Sequence, residues 1–316
     1  MVEISVVICT YADERWPDLL KAVASVRAQT LAPVETIVVI DHNPELLERA
    51  KRELADATVI ANELPRGLSG ARNSGLRRAR GDVIAFLDDD ATADADWLRW
   101  LADGYREPNV LGVGGVVEPR WADGDRPAAF PAEFQWVVGC SYTGLPSGRA
   151  VIRNPIGASM SLRREVFALA GEFRTGIGRI GRVPLGCEET ELCIRARQRR
   201  PGAVFLHEPR ARVTHRVPRA RTGWRYFVSR CFAEGISKAL VASWTGQGDA
   251  LAAERTYVRS TLPAGVRQGF ADARHGDLSG LSRAVAIVTG LTCTAAGYAF
   301  GRVRHFPAQR ERATPT

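Results

Sequence analysis

Two kinds of hydrophobic spacing alternate along the first part of the chain. "ISVVICT" (4–10), "ETIVVID" (35–41), "ATVIAN" (57–62) and "DVIAFLD" (82–88) are continuous, β-branched apolar runs. Such runs read as strands covered on both faces. Between them, "DLLKAVASVRAQ" (18–29) sets Leu19, Leu20, Val23 and Val26 at helical spacing, and "PELLERAKREL" (44–54) opens on Pro44. "SGARNSGLRRARG" (69–81) predicts a third helix, capped by Ser69 and stopped by Gly81. Strand and helix in alternation predict βαβ units and a mostly parallel α/β sheet flanked by helices. Ligands of such sheets lie beyond the carboxyl ends of the strands. Thr10, Asp41 and the run Asp88, Asp89, Asp90 all fall at those ends.

The pattern changes in the last third. "TGWRYFVSRCFAEGISKALVASW" places Trp224, Phe227, Val228, Cys231, Phe232, Ile236, Leu240 and Val241 at helical spacing, an amphipathic helix with arginines beside it. "AVAIVTGLTCTAAGYAFG" (284–301) has no charge for 18 residues, the lower edge of a membrane-spanning length. Its Ala, Gly and Thr make it weakly apolar, so an interfacial or core helix is expected ahead of a span. "RHFPAQRERATPT" reads as a disordered tail. The expected division is a catalytic-type domain over 1–222, a helical extension over 223–303 and the tail over 304–316.

The 316 residues, 45% hydrophobic and 25% charged, suit one large domain with an extension. Six cysteines contain no CxxC pair, so neither a zinc ribbon nor a disulfide framework is suggested. Glu3 stands where a signal peptide wants positive charge, so a cytoplasmic location with reduced thiols is expected. The net charge of +8 is concentrated: residues 207–230 hold seven Arg and one Glu, a net of +6, leaving +2 for the rest. That segment predicts polyanionic partners: nucleoside diphosphates, anionic lipid heads at the membrane surface, or nucleic acid.

The acidic run then needs a cation. An EF-hand starting at Asp88 would need Gly at position six and Glu at twelve; Ala93 and Arg99 stand there. No GxGxxG follows the first strand and no GxxxxGK[ST] occurs, which disfavours a dinucleotide or P-loop fold. Alternation along extended backbone lets two of the three acids face one ligand. A divalent cation there stabilises a diphosphate leaving group as it gains charge.

Five segments in order carry a resemblance: "SVVICTYADER", "ETIVVIDHN", "GLSGARNSGLRRARGDVIAFLDDDATADADWL", "NPIGASMSLRREVF" and "GCEETELCIRA". Together they resemble the family-2 glycosyltransferases of the GT-A fold, over roughly residues 3–220. The resemblance implies transfer of a sugar from a nucleotide-diphosphate donor, a UDP-sugar by expectation, to an acceptor hydroxyl with inversion. The acceptor class it implies is a saccharide, a lipid-linked sugar or a small molecule, and no nucleic acid is expected. "DDD" looks like the family's DxD motif. By that likeness Asp90 is a ligand of Mg²⁺ or Mn²⁺, Asp88 lies nearer the ribose and shares the metal, and Asp89 points away. Thr10, Tyr11, Asp41 and Arg72 are the implied nucleotide-sugar contacts, and His215 a further metal ligand.

"CEETE" is the second centre. Its acids either start a helix and meet its dipole or supply the base that takes the acceptor's proton. The family has Glu-Asp here and this chain Glu-Glu. Glu189 is the expected base and Glu188 the reserve. Ser159 replaces the Asn of the family's segment beside the donor sugar. Trp121 and Trp136 are candidates for sugar stacking or, more simply, for the core. Two rivals remain: a sugar nucleotidyltransferase, which needs a Gly-rich loop that "CTYADER" does not provide, and a basic membrane- or nucleic-acid-binding module.

Overall fold

The computed structural model describes residues 2–179, 184–250 and 252–303. Each early apolar run is a strand. β1 (Ile4–Thr10) passes through α1 (Trp16–Arg27) to β2 (Glu35–Ile40), then through α2 (Pro44–Glu53) to β3 (Thr58–Ala61) and through α3 (Leu68–Arg78) to β4 (Val83–Asp88). These four strands are parallel, in the order β3-β2-β1-β4. Alternate residues feed two cores. Val6, Ile8, Val38 and Ile40 pack on the side of Leu19 and Val23 of α1, while Val7, Ile37 and Val39 pack with Leu76 of α3. Both faces are therefore covered, which is why the runs are continuous rather than alternating.

α3 begins at Leu68 with Gly67 as its N-cap, not at Ser69. Gly67 has φ +124, a conformation open to glycine. At Gly70 a side chain would lie 2.0 Å from the Pro65 carbonyl oxygen. Ser69 is no cap: its hydroxyl donates to the Ile177 carbonyl at 2.9 Å.

The chain continues through β5 (Ala91–Ala93), α4 (Trp97–Asp103), β6 (Val110–Trp121), β7 (Ala150–Ile152), β8 (Ser159–Arg163), α5 (Arg164–Ala170), α6 (Glu188–Arg199) and β9 (Val204–Val217). The sheet extends β4-β8-β6-β9-β5, with β7 also paired to β9 and β8 antiparallel to both neighbours. β9 runs 14 residues through Pro209, and the missing amide is absorbed in a register shift between the His207 and Arg212 pairings.

Five helices follow: α7 (Trp224–Thr245), α8 (Gln247–Ala250), α9 (Ala252–Thr256), α10 (Leu262–Arg274) and α11 (Ser279–Val303). The expected amphipathic surface helix is α7, and it is instead central: Glu234, Ser237 and Thr245 are buried along with Phe227, Cys231 and Val241. α11 covers its outer side. A side chain on Gly235 would come within 2.1 Å of the Thr294 oxygen, and one on Gly297 within 2.0 Å of the Phe232 oxygen, so the two backbones touch. α10 and α11 form an antiparallel hairpin closed in the same way at Gly269 and Gly280. α11 is long and apolar enough to cross a membrane, yet 28% of its most apolar window is buried in the protein. The expected tail, 304–316, lies outside the described residues.

The basic segment is not a free cationic patch. Arg210 pairs with Glu208 and Asp103, Arg212 with Glu118, Arg216 with Asp18, Arg219 with Asp123 and Arg230 with Glu234. Acids from distant elements (Asp18, Asp103, Glu118, Asp123) and near ones (Glu208, Glu234) share out these arginines. A net charge counted along the chain cannot reveal such pairing.

Candidate active site

A cavity of about 730 Å³ lies between the carboxyl edge of the sheet and the C-terminal helices. Its acidic end is built by register. Cys9 pairs with Asp88, which levels the ends of β1 and β4. Just beyond, the Arg216 amide donates to the Asp90 carbonyl at 2.8 Å, and Ala91 pairs with His215. His215 Nε2 thereby stands 3.0 Å from Asp90 Oδ1. One ligand atom from each of Asp88, Asp90 and His215 lies within 4.8 Å of the others. Two carboxylate oxygens and an imidazole nitrogen are a donor set that fits Mg²⁺ or Mn²⁺.

Burial opposes ionisation of Asp90, but His215, Arg15 and Arg221 hold its carboxyl far below the usual carboxylate range. Burial likewise opposes a charge on His215, and Asp90 overcomes it, raising the imidazole well above its ordinary value. Asp89 turns toward Arg15, with Nη1 2.5 Å from Oδ1. Burial pushes Asp89 up to about 6 even with that arginine beside it.

Thr10, Tyr11, Asp41 and Arg72 all line the same cavity. Asp41 is held from three sides: by Asn62 at 2.6 Å, by the Gly67 amide at 2.9 Å and by His42 at 2.9 Å. Arg72 is no surface arginine. It is 2% exposed, and its guanidinium binds Glu188 at 2.7 Å and the Gly157 carbonyl at 3.2 Å, with Asp88 at 3.6 Å. It therefore bridges the two acidic centres.

Glu188 and Glu189 open α6, so the expected helix start is real. Their environments differ. Glu188 is buried and tied to Arg72. Glu189 is half-buried on the cavity wall; its carboxylate meets its own backbone amide and has no ion pair among the described residues. Burial, reinforced by the charge of Glu188, pushes Glu189 up to about 8. α7 fixes this helix start. The Gly186 amide donates to Ser237 Oγ at 3.1 Å, and Cys187, in a left-handed conformation with φ +71, donates to Glu234 at 3.2 Å.

Sequence reasoning missed several lining residues. Arg15 follows the first strand in "CTYADER", where the strand-end rule had already marked its neighbours. Arg221 reaches Asp90 at 3.8 Å, and Arg179 bonds Tyr226 at 3.2 Å. Opposite Glu189 lies a buried ionic chain. Arg153 and Lys238 both bind Glu254, at 2.7 and 2.6 Å, and Lys238 and Arg230 bind Glu234, at 3.2 and 2.8 Å. Lys238 stands out in a chain with three lysines, and that scarcity was its one signal. Ser159 faces away from the cavity: its hydroxyl accepts from Trp97 Nε1 at 3.0 Å in the core. Trp121 packs on Phe130 in the core, while Trp136 lines the cavity and donates to Tyr257 at 3.2 Å.

The far wall is apolar. Leu145, Pro146, Val258, Leu262, Leu291 and Tyr298 line it, most of them from the helical extension.

Comparison with known proteins adds three findings. The model of "Glycosyl transferase family 2" matches residues 5–169. Over 244 residues the chain is 36% identical to a glucosyl-dolichyl phosphate glucuronosyltransferase of Haloferax volcanii, covering 76% of this chain and 77% of that protein. It is 26% identical over 242 residues to the succinoglycan biosynthesis protein ExoM of Rhizobium meliloti, covering 74% and 73%. The fold matches that of a mannosyltransferase from Pyrobaculum calidifontis, solved in complex with GDP-Man and Mn²⁺. The TM-score is 0.55 at 18% identity, over 93% of this chain and 87% of that one.

Proposed function

Since the chain belongs to glycosyl transferase family 2 and is a glycosyltransferase, we propose that it passes a hexose-type sugar from a nucleoside-diphosphate donor to a hydroxyl of a lipid-phosphate-linked saccharide, with inversion and with Glu189 as the base. One observation carries this reading: a carboxylate with no ion pair among the described residues shares a cavity with an Asp-Asp-His cluster. Arg72 already binds one carboxylate oxygen of Glu188, whereas Glu189 has no ion pair among the described residues.

Asp88, Asp90 and His215 would hold a divalent cation, which when bound neutralises the diphosphate as it departs. Arg15 holds Asp89 aside and Arg72 fixes Asp88. Thr10, Tyr11 and Asp41 stand where the nucleoside would be cradled. Glu189 takes the proton from the acceptor hydroxyl as that oxygen bonds to the anomeric carbon and the bond to the diphosphate breaks. Its raised proton affinity suits that work near neutral pH.

The acceptor reading draws on the name of the Haloferax relative and on the apolar far wall. It divides the labour between donor groups in 1–222 and acceptor walls in 223–303. The cytoplasmic face of a membrane is the proposed place of work.

The test is a transfer assay with UDP- and GDP-sugars, Mn²⁺ or Mg²⁺, and short polyprenyl-phosphate saccharides, reading the product's anomeric configuration. Inverted product that vanishes with EDTA and with Glu189→Gln is expected. Full transfer by Glu189→Gln would remove the assigned base, and retained configuration would remove the mechanism.

A further inference from the structure

A helix packed on its protein normally turns polar side chains to water. α11 does the reverse. Counting in steps of three and four, its outward positions are Leu281, Val285, Val288, Thr292, Ala295 or Ala296, Ala299 and Val303, and every one is exposed. Val285 is 61% exposed, Val288 54% and Val303 82%. Leu278, 71% exposed, extends the stripe into the hairpin turn. The opposite face is locked: Gly280 and Ala284 against α10, Gly290 against Phe134, Gly297 against α7. At 1.5 Å per residue the stripe is about 33 Å long, and exposed apolar surface of that extent marks a binding face.

The neighbouring helix gives the chemistry of what binds. α10 exposes Arg267, Phe270 and Arg274, three positions on one face. Arg255, Arg259 and Arg302 lie close by in sequence. None of these five arginines has an ion pair or hydrogen bond among the described residues. The arginines of β9, by contrast, are paired with acids. Asp272 and Asp277 are taken up by Arg283. An apolar stripe beside unpaired arginines is complementary to lipid tails beneath anionic headgroups.

We propose that the α10–α11 hairpin docks flat on an anionic bilayer, with the α11 stripe in the headgroup–acyl boundary and the arginines on the phosphates. The tight glycine contacts with α7 keep α11 on the protein and out of a separate span. Val258 and Ala295 are exposed and also line the cavity, so docking sets part of the cavity rim against the lipid. Vesicle binding needs neither sugar nor acceptor, so this inference stands or falls apart from the transfer reading.

The experiment is co-sedimentation of the full chain with phosphatidylcholine vesicles, with and without phosphatidylglycerol. Light scattering and melting temperature are followed on the same samples. Binding is expected with phosphatidylglycerol and much less without it. The double variant Val285→Asp, Val288→Asp should lose at least about 10-fold in vesicle affinity at unchanged melting temperature. Arg267→Gln with Arg274→Gln, which disturbs no recorded contact, should lose roughly 10-fold or more at low salt and little at high salt. A monomer that ignores both vesicles overturns the proposal. So does a dimer that the aspartates split and that never binds lipid, since the stripe is then an interface between copies. Protein released from cell membranes by detergent but not by salt or carbonate would make α11 a span and overturn flat docking.

Discussion

The cavity holds two runs of neighbouring acids, and an arginine takes one acid from each. Arg15 binds Asp89 most closely and also reaches Asp90; Arg72 takes Glu188 and leaves Glu189 without an ion pair among the described residues. The remaining carboxylates then diverge. Asp90 keeps His215, Arg15 and Arg221 around it and stays ionised far below the ordinary range. Glu189 keeps a like charge beside it, no cation of its own, and binds a proton up to about pH 8. On the proposed reading one run holds positive charge and the other accepts a proton. The lesson is that an acid's function is set by which cations its neighbours have already claimed.

The largest effect should come from breaking the first run. Asp90→Ala removes a ligand and an anion that three cations face. Transfer should fall by several orders of magnitude, since stabilising the leaving diphosphate is worth several kcal/mol. Donor affinity, read by calorimetry with Mn²⁺, should fall with it. EDTA should reproduce both losses in the wild type, and a variant with normal Mn²⁺-dependent turnover would dissolve the contrast.

Breaking the second run should separate the two. Glu189→Gln should lower transfer roughly 100-fold while nucleotide-sugar affinity stays close to normal. A parallel loss of affinity would mean that Glu189 holds the donor.

A finer probe is pH. As the proposed base Glu189 would act only after losing its proton, so transfer should rise with pH through about 8 and then level. Glu188→Gln removes the like charge, and the midpoint should move to lower pH. Stability should run the other way. The folded-state value lies above the ordinary 4.5, so the contribution of protonated Glu189 is complete below 4.5 and lost as pH rises through about 8. Melting curves of wild type and Glu189→Gln across that window check the sign.

The smallest effect should come from an arginine that pairs without tuning anything. Arg212 meets Glu118 on the outer face and is half exposed. Arg212→Ala should cost no more than about 1 kcal/mol, with unchanged transfer. A larger loss would show that the β9 arginines do more than neutralise surface acids.

The donor half of the fold was legible because its elements are local. β1 occupies 4–10 as read, and the carboxyl-edge rule led directly to Asp41, Asp88 and Asp90. Errors arose where a distant partner overrides a local signal. Ser69 has a cap's chemistry, but Ile177 claims its hydroxyl. Pro209 has a strand-breaker's chemistry, but β6 accommodates it as a register shift. The arginine-rich segment has a patch's charge, but Asp18, Asp103, Glu118 and Asp123 stand opposite. α7 has a surface helix's spacing, but α11 arrives to cover it. Residues such as Arg15 and Arg72 could be flagged as cations near acids. Which acid each would take, and so which carboxylate would be spared, is a three-dimensional fact.

Synthesis on the ribosome gives the long β9 strand a further meaning. Domains begin to fold as they emerge, amino-terminal parts first. The parallel strands β1–β4 and the three aspartates are complete early, but the Asp90 carbonyl waits for the Arg216 amide and its carboxylate waits for His215. Both partners arrive with β9, after α6 with Glu188 and Glu189 has left the ribosome, and the α11 wall comes later still. A nascent chain therefore carries Asp90 with only Arg15 beside it for a long interval before β9 brings the partners that fix its carbonyl and carboxylate.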